Sequence, residues 1–99
     1  MFIFKSTGNY LGFIVNDFFF SRDGVHLGWL EQGKFVWDTK GNFKGLLTGI
    51  NNNFYILVNK LAIPPFSRAP KTAPNNPVIP PPPPNISPIS LPVGYIDAF

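Results

Sequence analysis

Short apolar runs separated by polar, glycine-containing punctuation fill the first sixty residues. They read FIF at 2–4, YLGFIV at 10–15, FFF at 18–20, HLGWL at 26–30, FVW at 35–37, FKGLL at 43–47 and FYILV at 54–58. Phe, Ile, Val, Trp and Tyr suit a pleated surface, and no run is long enough for a buried helix. The pattern predicts an all-β antiparallel meander of about seven strands, near 2–6, 9–15, 18–22, 25–31, 34–39, 42–48 and 54–60.

The punctuation repeats. STGNYLGFIV (6–15), SRDGVHLGWL (21–30) and DTKGNFKGLL (38–47) align without gaps, with Gly8, Gly24 and Gly41 in one glycine place and Gly12, Gly28 and Gly45 in the other. Each copy reads as a β-hairpin. Thr7-Gly8, Asp23-Gly24 and Lys40-Gly41 are the expected two-residue turns, Asp23-Gly24 the strongest type I′ candidate. Asn16-Asp17, Gln32-Gly33 and residues 49–53 are expected to join one hairpin to the next. Alternation places Tyr10, Gly12 and Ile14 on one face, as it does His26, Gly28 and Leu30, and Phe43, Gly45 and Leu47. The middle glycines are expected to leave a gap in which a neighbouring ring lies against backbone. FFF is apolar on both faces, so it needs cover on both, from its own chain or another copy. FYILV starts a fourth unit that runs into proline instead of completing.

All 12 prolines lie between Pro64 and Pro92. The expected organisation is a hairpin-repeat domain over 1–63 and an extended proline-rich tail over 64–99. Pro80, Pro81, Pro82, Pro83 and Pro84 must run close to polyproline II, because proline fixes φ and has no N–H to give to a sheet. Tyr95, Ile96 and Phe99 make an apolar end. Pro77 and Pro80 satisfy P-x-x-P, the spacing read by aromatic grooves. The tail is read as a semi-rigid extended spacer, either solvated with a loosely held apolar anchor, or packing on its own or a neighbouring subunit, or alternatively a ligand for an external polyproline-recognising partner.

Composition narrows the chemistry. The chain has 99 residues, no cysteine, one histidine and a net charge of +3. A body of some sixty residues buries only roughly 60% of its unfolded surface, and disulfides and a histidine-based zinc site are closed to it. Self-association is the expected source of extra burial. The eight basic residues are scattered, unlike the basic stripe of a nucleic-acid binder. No run approaches the roughly 18 apolar residues of a membrane helix, and MFIFK lacks the form of a secretory signal; a cytoplasmic location is expected. His26 beside Asp23 invites a general-base reading, with Asp17, Glu31 and Asp38 as further carboxylates. Yet Asp23 and Asp17 are accounted for by turns, Asp38 by a strand end, and His26 fills the ring slot of Tyr10 and Phe43. No catalytic, cofactor or metal residues are assigned, and no enzyme activity is expected.

The hairpin units FFFSRDGVHLGWLEQGKFVWDTKGNFKGLL, the stretch PVIPPPPPNISPISLP and the ending GYIDAF together resemble the bacterial 4-fold beta flower proteins. Tyr95 stands where that family's ending suggests tryptophan. The resemblance implies a small all-β protomer in a fourfold homo-oligomer and implies no reaction. Phe18, Phe20, Trp29, Phe35 and Trp37 are the expected core and subunit interface of a non-enzymatic, self-assembling structural protein.

Overall fold

Eight strands form in chain order: β1 (Phe2–Phe4), β2 (Tyr10–Val15), β3 (Phe18–Ser21), β4 (His26–Glu31), β5 (Phe35–Asp38), β6 (Phe43–Ile50), β7 (Asn53–Asn59) and β8 (Tyr95–Asp97). This computed structural model describes residues 1–72 and 77–99 and has no helix among them. Each strand pairs antiparallel with the next, and β1 also pairs parallel with β7. The result is a closed seven-stranded β-barrel with one extra strand, β8. Its extents are 35 × 35 × 18 Å, a disc rather than a sphere.

The strands group into four hairpins, β1–β2, β3–β4, β5–β6 and β7–β8. In the first three, one residue at the centre of the first strand faces a glycine: Ile3 faces Gly12, Phe19 faces Gly28 and Val36 faces Gly45. The fourth has Ile56 in the same slot, accepting a 3.0 Å hydrogen bond from the amide of Ala98. These four residues are essentially inaccessible and meet, with Ile14 and Leu30, in one shared core. Four hairpins of one chain thus contribute one equivalent side chain each to a common centre.

The type I′ candidates at Thr7-Gly8, Asp23-Gly24 and Lys40-Gly41 are three-residue turns, in which only the glycine has positive φ (+91°, +86° and +90°). Gly24 N donates to Ser21 O at 2.9 Å and Ser21 N to Val25 O at 2.8 Å, the geometry of a type I turn closed by a left-handed glycine. Paired positive φ values occur instead at the connectors Asn16-Asp17, Gln32-Gly33 and Asn51-Asn52. Asn and Asp tolerate that region better than other side chains, so they mark the joints between hairpins.

The middle glycines also differ from expectation. What stands nearest in the place of each missing side chain is not a ring but a backbone carbonyl of the next hairpin. A Cβ added at Gly12 would coincide with Phe20 O, one at Gly28 with Trp37 O, and one at Gly45 would overlap Leu57 O. The sheet coils so sharply that successive hairpins approach backbone to backbone. Rings pack beside the contact, Phe13 on Phe20 at 5.5 Å and Trp29 on Trp37 at 6.4 Å, both stacked.

The fourth hairpin is interrupted. Where the other hairpins have three-residue turns, the chain leaves β7 after Asn59 and returns as β8 at Tyr95, which pairs with the second half of β7. β1 occupies the first half of the same edge. Asp97 closes the seam between them: its Oδ1 accepts from Ser6 N at 2.8 Å and its Oδ2 from Ser6 Oγ at 2.6 Å.

Gly28→Ala is expected to destabilise the fold by about 3 kcal/mol or more, because the methyl group has no space that backbone movement does not create. Gly33→Ala, with nothing within 4 Å but φ of +72°, should cost about 1–2 kcal/mol from conformation alone. Urea unfolding of both variants tests the difference; equal losses would contradict it.

Candidate functional site

The residues singled out for chemistry do not converge. His26 is half-buried, with Phe18 and Phe20 both at 5.6 Å between ring centres. Its Nε2 lies 2.8 Å from Gly28 O. A carbonyl only accepts, so Nε2 carries the proton and the ring is tied to its own strand. Asp23 is exposed on its turn. Asp38 Oδ1 accepts from the amides of Lys40 and Asn42, at 2.9 and 3.0 Å, and Asp97 is engaged with Ser6. Among the described residues no three His, Asp or Glu side chains gather as metal ligands.

What the fold does assemble is a surface where the proline segment crosses the barrel. It passes the three hairpin turns in reverse order. At the third turn Arg68 N donates to Gly41 O at 2.8 Å, and Arg68 O fills the place of a Gly41 side chain. At the second, Ile79 Cδ1 and Pro77 lie over Gly24. At the first, Ile86 N donates to Gly8 O at 2.9 Å while Ile86 O meets Gly8, and Asn85 Oδ1 accepts from Tyr10 N at 3.1 Å. The glycines expected as turn formers therefore act a second time, as bare backbone on which another strand can rest.

Two cations fasten the start of this belt. The Arg68 guanidinium stacks 4.5 Å above the Trp37 ring and forks onto Glu31, Nη2 to Oε1 at 3.2 Å and Nε to Oε2 at 3.3 Å. Lys71 Nζ lies 5.3 Å above Trp29. Such contacts contribute about 0.5–1 kcal/mol each at exposed sites. The indole nitrogens of Trp29 and Trp37 and the hydroxyls of Tyr10 and Tyr55 are buried without partners among the described residues.

The predicted core and interface residues sit inside this single chain. Phe20, Trp29 and Trp37 are buried, while Phe18 and Phe35 are half-buried, Phe35 beside Phe43 at 6.4 Å. Phe99 packs edge-on against Phe19 at 5.0 Å, and Lys44 Nζ lies 5.0 Å from the Phe99 ring centre. Tyr95 borders an apolar groove of about 730 Å³, lined also by Phe35, Phe43, Leu46, Ile63 and Pro64. A second cleft, about 460 Å³, lies between Phe2, Phe54 and Pro83-Pro84.

Residues 1–94, which carry all three glycine repeats and the proline belt, match the family model for 4-fold beta flower proteins. The chain belongs to the 4-fold beta flower protein family. No match was found among curated proteins or solved structures. In this beta flower protein, sequence reasoning missed the Arg68–Glu31–Trp37 clasp and the completion of the fourth hairpin. Gly94, with φ of +91°, followed by Tyr95 and Ile96, was the available signal. It was hidden because the repeat resumes only after the proline segment.

Burial raises the Tyr10 phenol above its ordinary value of 10.0, with Arg22 pulling in the other direction. Above pH 10 the unfolded chain gives up this proton while the folded chain keeps it. The stability it confers is complete below pH 10 and is lost as pH rises towards the native pKa. Tyr10→Phe should leave stability at pH 7 within about 1 kcal/mol of the parent, because the hydroxyl has no partner among the described residues. It should also flatten the alkaline decline in melting temperature; an unchanged decline would contradict this account.

Proposed function

We propose that this beta flower protein is a non-enzymatic structural module that self-associates through an apolar surface beside the fourth hairpin. The observation that carries the reading is the run from Leu61 to Phe66. Leu61, Ile63 and Phe66 are 83%, 94% and 92% exposed, next to the 730 Å³ groove. Burying each such side chain contributes about 1.5–3 kcal/mol, so three of them clustered on a free monomer are a strong drive to associate. Further support comes from the carboxylates, three of which are held in structural hydrogen bonds or an ion pair, and from His26, whose Nε2 is bound to its own backbone.

Ile63 forms part of the groove's wall and Leu61 and Phe66 stand exposed on either side of it in the chain, so the patch is continuous and two copies related by a twofold axis can cover it mutually. A fourfold ring, the arrangement implied by the family resemblance, would require the exposed side chains and the groove to face different neighbours. In either case the proline belt packs on its own subunit and leaves the 61–66 patch free for contact. A cytoplasmic setting belongs to the same proposal; no helix among the described residues is long and apolar enough to cross a membrane.

Native mass spectrometry at micromolar concentration tests the proposal. A particle of two or four times the 11.0 kDa chain mass is expected. Leu61→Ser/Ile63→Ser/Phe66→Ser should convert it to a folded monomer with little loss of unfolding free energy. A monomeric parent chain, or an oligomer indifferent to the triple substitution, would overturn the assignment.

A further inference from the structure

Burial along the belt has a period of three. Pro77, Pro80, Pro83, Ile86 and Ile89 are half-buried, whereas Val78, Ile79, Pro81, Pro82, Pro84, Asn85, Ser87 and Pro88 are exposed. Three residues per turn is the repeat of polyproline II, so one edge of the helix rests on the barrel, the edge through Ile79 and Asn85 touches it at Gly24 and Tyr10, and the edge Val78-Pro81-Pro84 faces outward. The backbone hydrogen bonds agree with this placement. Ile86 N and Ile89 N, three residues apart on the resting edge, donate to Gly8 O and Ser6 O at 2.9 and 2.8 Å. Ile86, Ile89 and Leu91 also pack on Phe4, Tyr10, Tyr55 and Leu57, fixing the edge to the core.

This placement corrects the sequence reading in one respect. Pro77 and Pro80, the pair first noted as P-x-x-P, lie on the resting edge. The outward pair with that spacing is Pro81 and Pro84, continued by Val78, which is 91% exposed.

We propose that the outward ridge Val78-Pro81-Pro84 is a preformed ligand for a domain that reads polyproline II in an aromatic-lined groove. Residues 77–92 carry no charge, so the matching groove relies on ring-against-proline packing and on donors to the belt's carbonyls rather than on acidic side chains. Pro80 to Pro84 have no N–H, which leaves a surface of rings and acceptors only. The barrel has already fixed the helix, so binding does not have to order it, and that favours the intact chain over a free peptide. The cleft bounded by Phe2, Phe54 and Pro84 adjoins the ridge and can receive an apolar side chain projecting from the reader's groove.

The test titrates the full chain into a panel of isolated SH3, WW and EVH1 domains, reading the domains' groove-tryptophan fluorescence. At least one should bind with Kd below about 100 μM, at least threefold more tightly than the free peptide 77–92, as preorganisation requires. Pro81→Ala/Pro84→Ala, which alters exposed positions only, should weaken binding tenfold or more with unchanged melting temperature. The inference is overturned if no domain binds the intact chain below about 1 mM, if the free peptide binds more tightly, or if the double substitution has no effect. Repeating the titration with Leu61→Ser/Ile63→Ser/Phe66→Ser keeps this result separate from self-association, since that patch does not include the ridge.

Discussion

A backbone carbonyl occupying the place of a missing side chain recurs five times in this molecule, and most of the architecture depends on it. Gly12, Gly28 and Gly45 receive carbonyls from the following hairpin, while Gly8 and Gly41 receive them from the belt. At each place the glycine hydrogen that stands for a side chain points at an oxygen, a weak contact but one that brings two backbones unusually close. The first set lets four short hairpins coil into a closed barrel of small circumference. The second lets an extended segment lie flat on the turns.

Closure has a direct energetic meaning for a chain with no cysteine. A body of some sixty residues has little interior, and its centre is supplied by single side chains, Ile3, Phe19, Val36 and Ile56, one from each hairpin. The belt enlarges that interior by covering Phe4, Tyr10, Tyr55 and Leu57 with Ile86, Ile89 and Leu91. Proline suits the task because it is already close to its bound conformation in the unfolded chain, so ordering it loses less entropy than ordering other residues. β8 and the Asp97–Ser6 contacts then anchor the far end beside β1. The belt thus does much of what a disulfide does in other small proteins, with hydrogen bonds and packing instead of a covalent link.

The strands and the repeat were legible in the sequence because apolar runs and glycine spacing are local signals. Seven strands were placed to within about two residues, an ordinary boundary error. What was not legible was long-range. Whether a glycine at strand centre faces a ring or a carbonyl depends on the coiling of the whole barrel, and Gly28 was assigned the wrong neighbour for that reason. Turn type was misjudged at Asp23-Gly24 because the dipeptide is equally good chemistry for a three-residue turn. β8 escaped notice because three residues are too few to show alternation. For the candidate site, His26 was read as a packed ring, and Phe18 and Phe20 are its neighbours; but no local feature of Arg68 announced that it would stack on Trp37, thirty-one positions earlier.

The central physical claim is that the belt belongs to the folded unit, its described residues held by the hairpin turns they cross. One edge of it rests on the barrel, another touches it through Ile79 and Asn85, and the edge Val78-Pro81-Pro84 and the apolar run 61–66 are exposed. Native-state hydrogen exchange at the Ile86 and Ile89 amides measures this claim most directly, since their acceptors are the carbonyls of Gly8 and Ser6. The account predicts that both exchange with an opening free energy approaching that of the barrel amide of Leu47, which donates to Lys34 O beside β5, in one cooperative unit. Exchange of Ile86 and Ile89 at free-peptide rates, with Leu47 still protected, would contradict it.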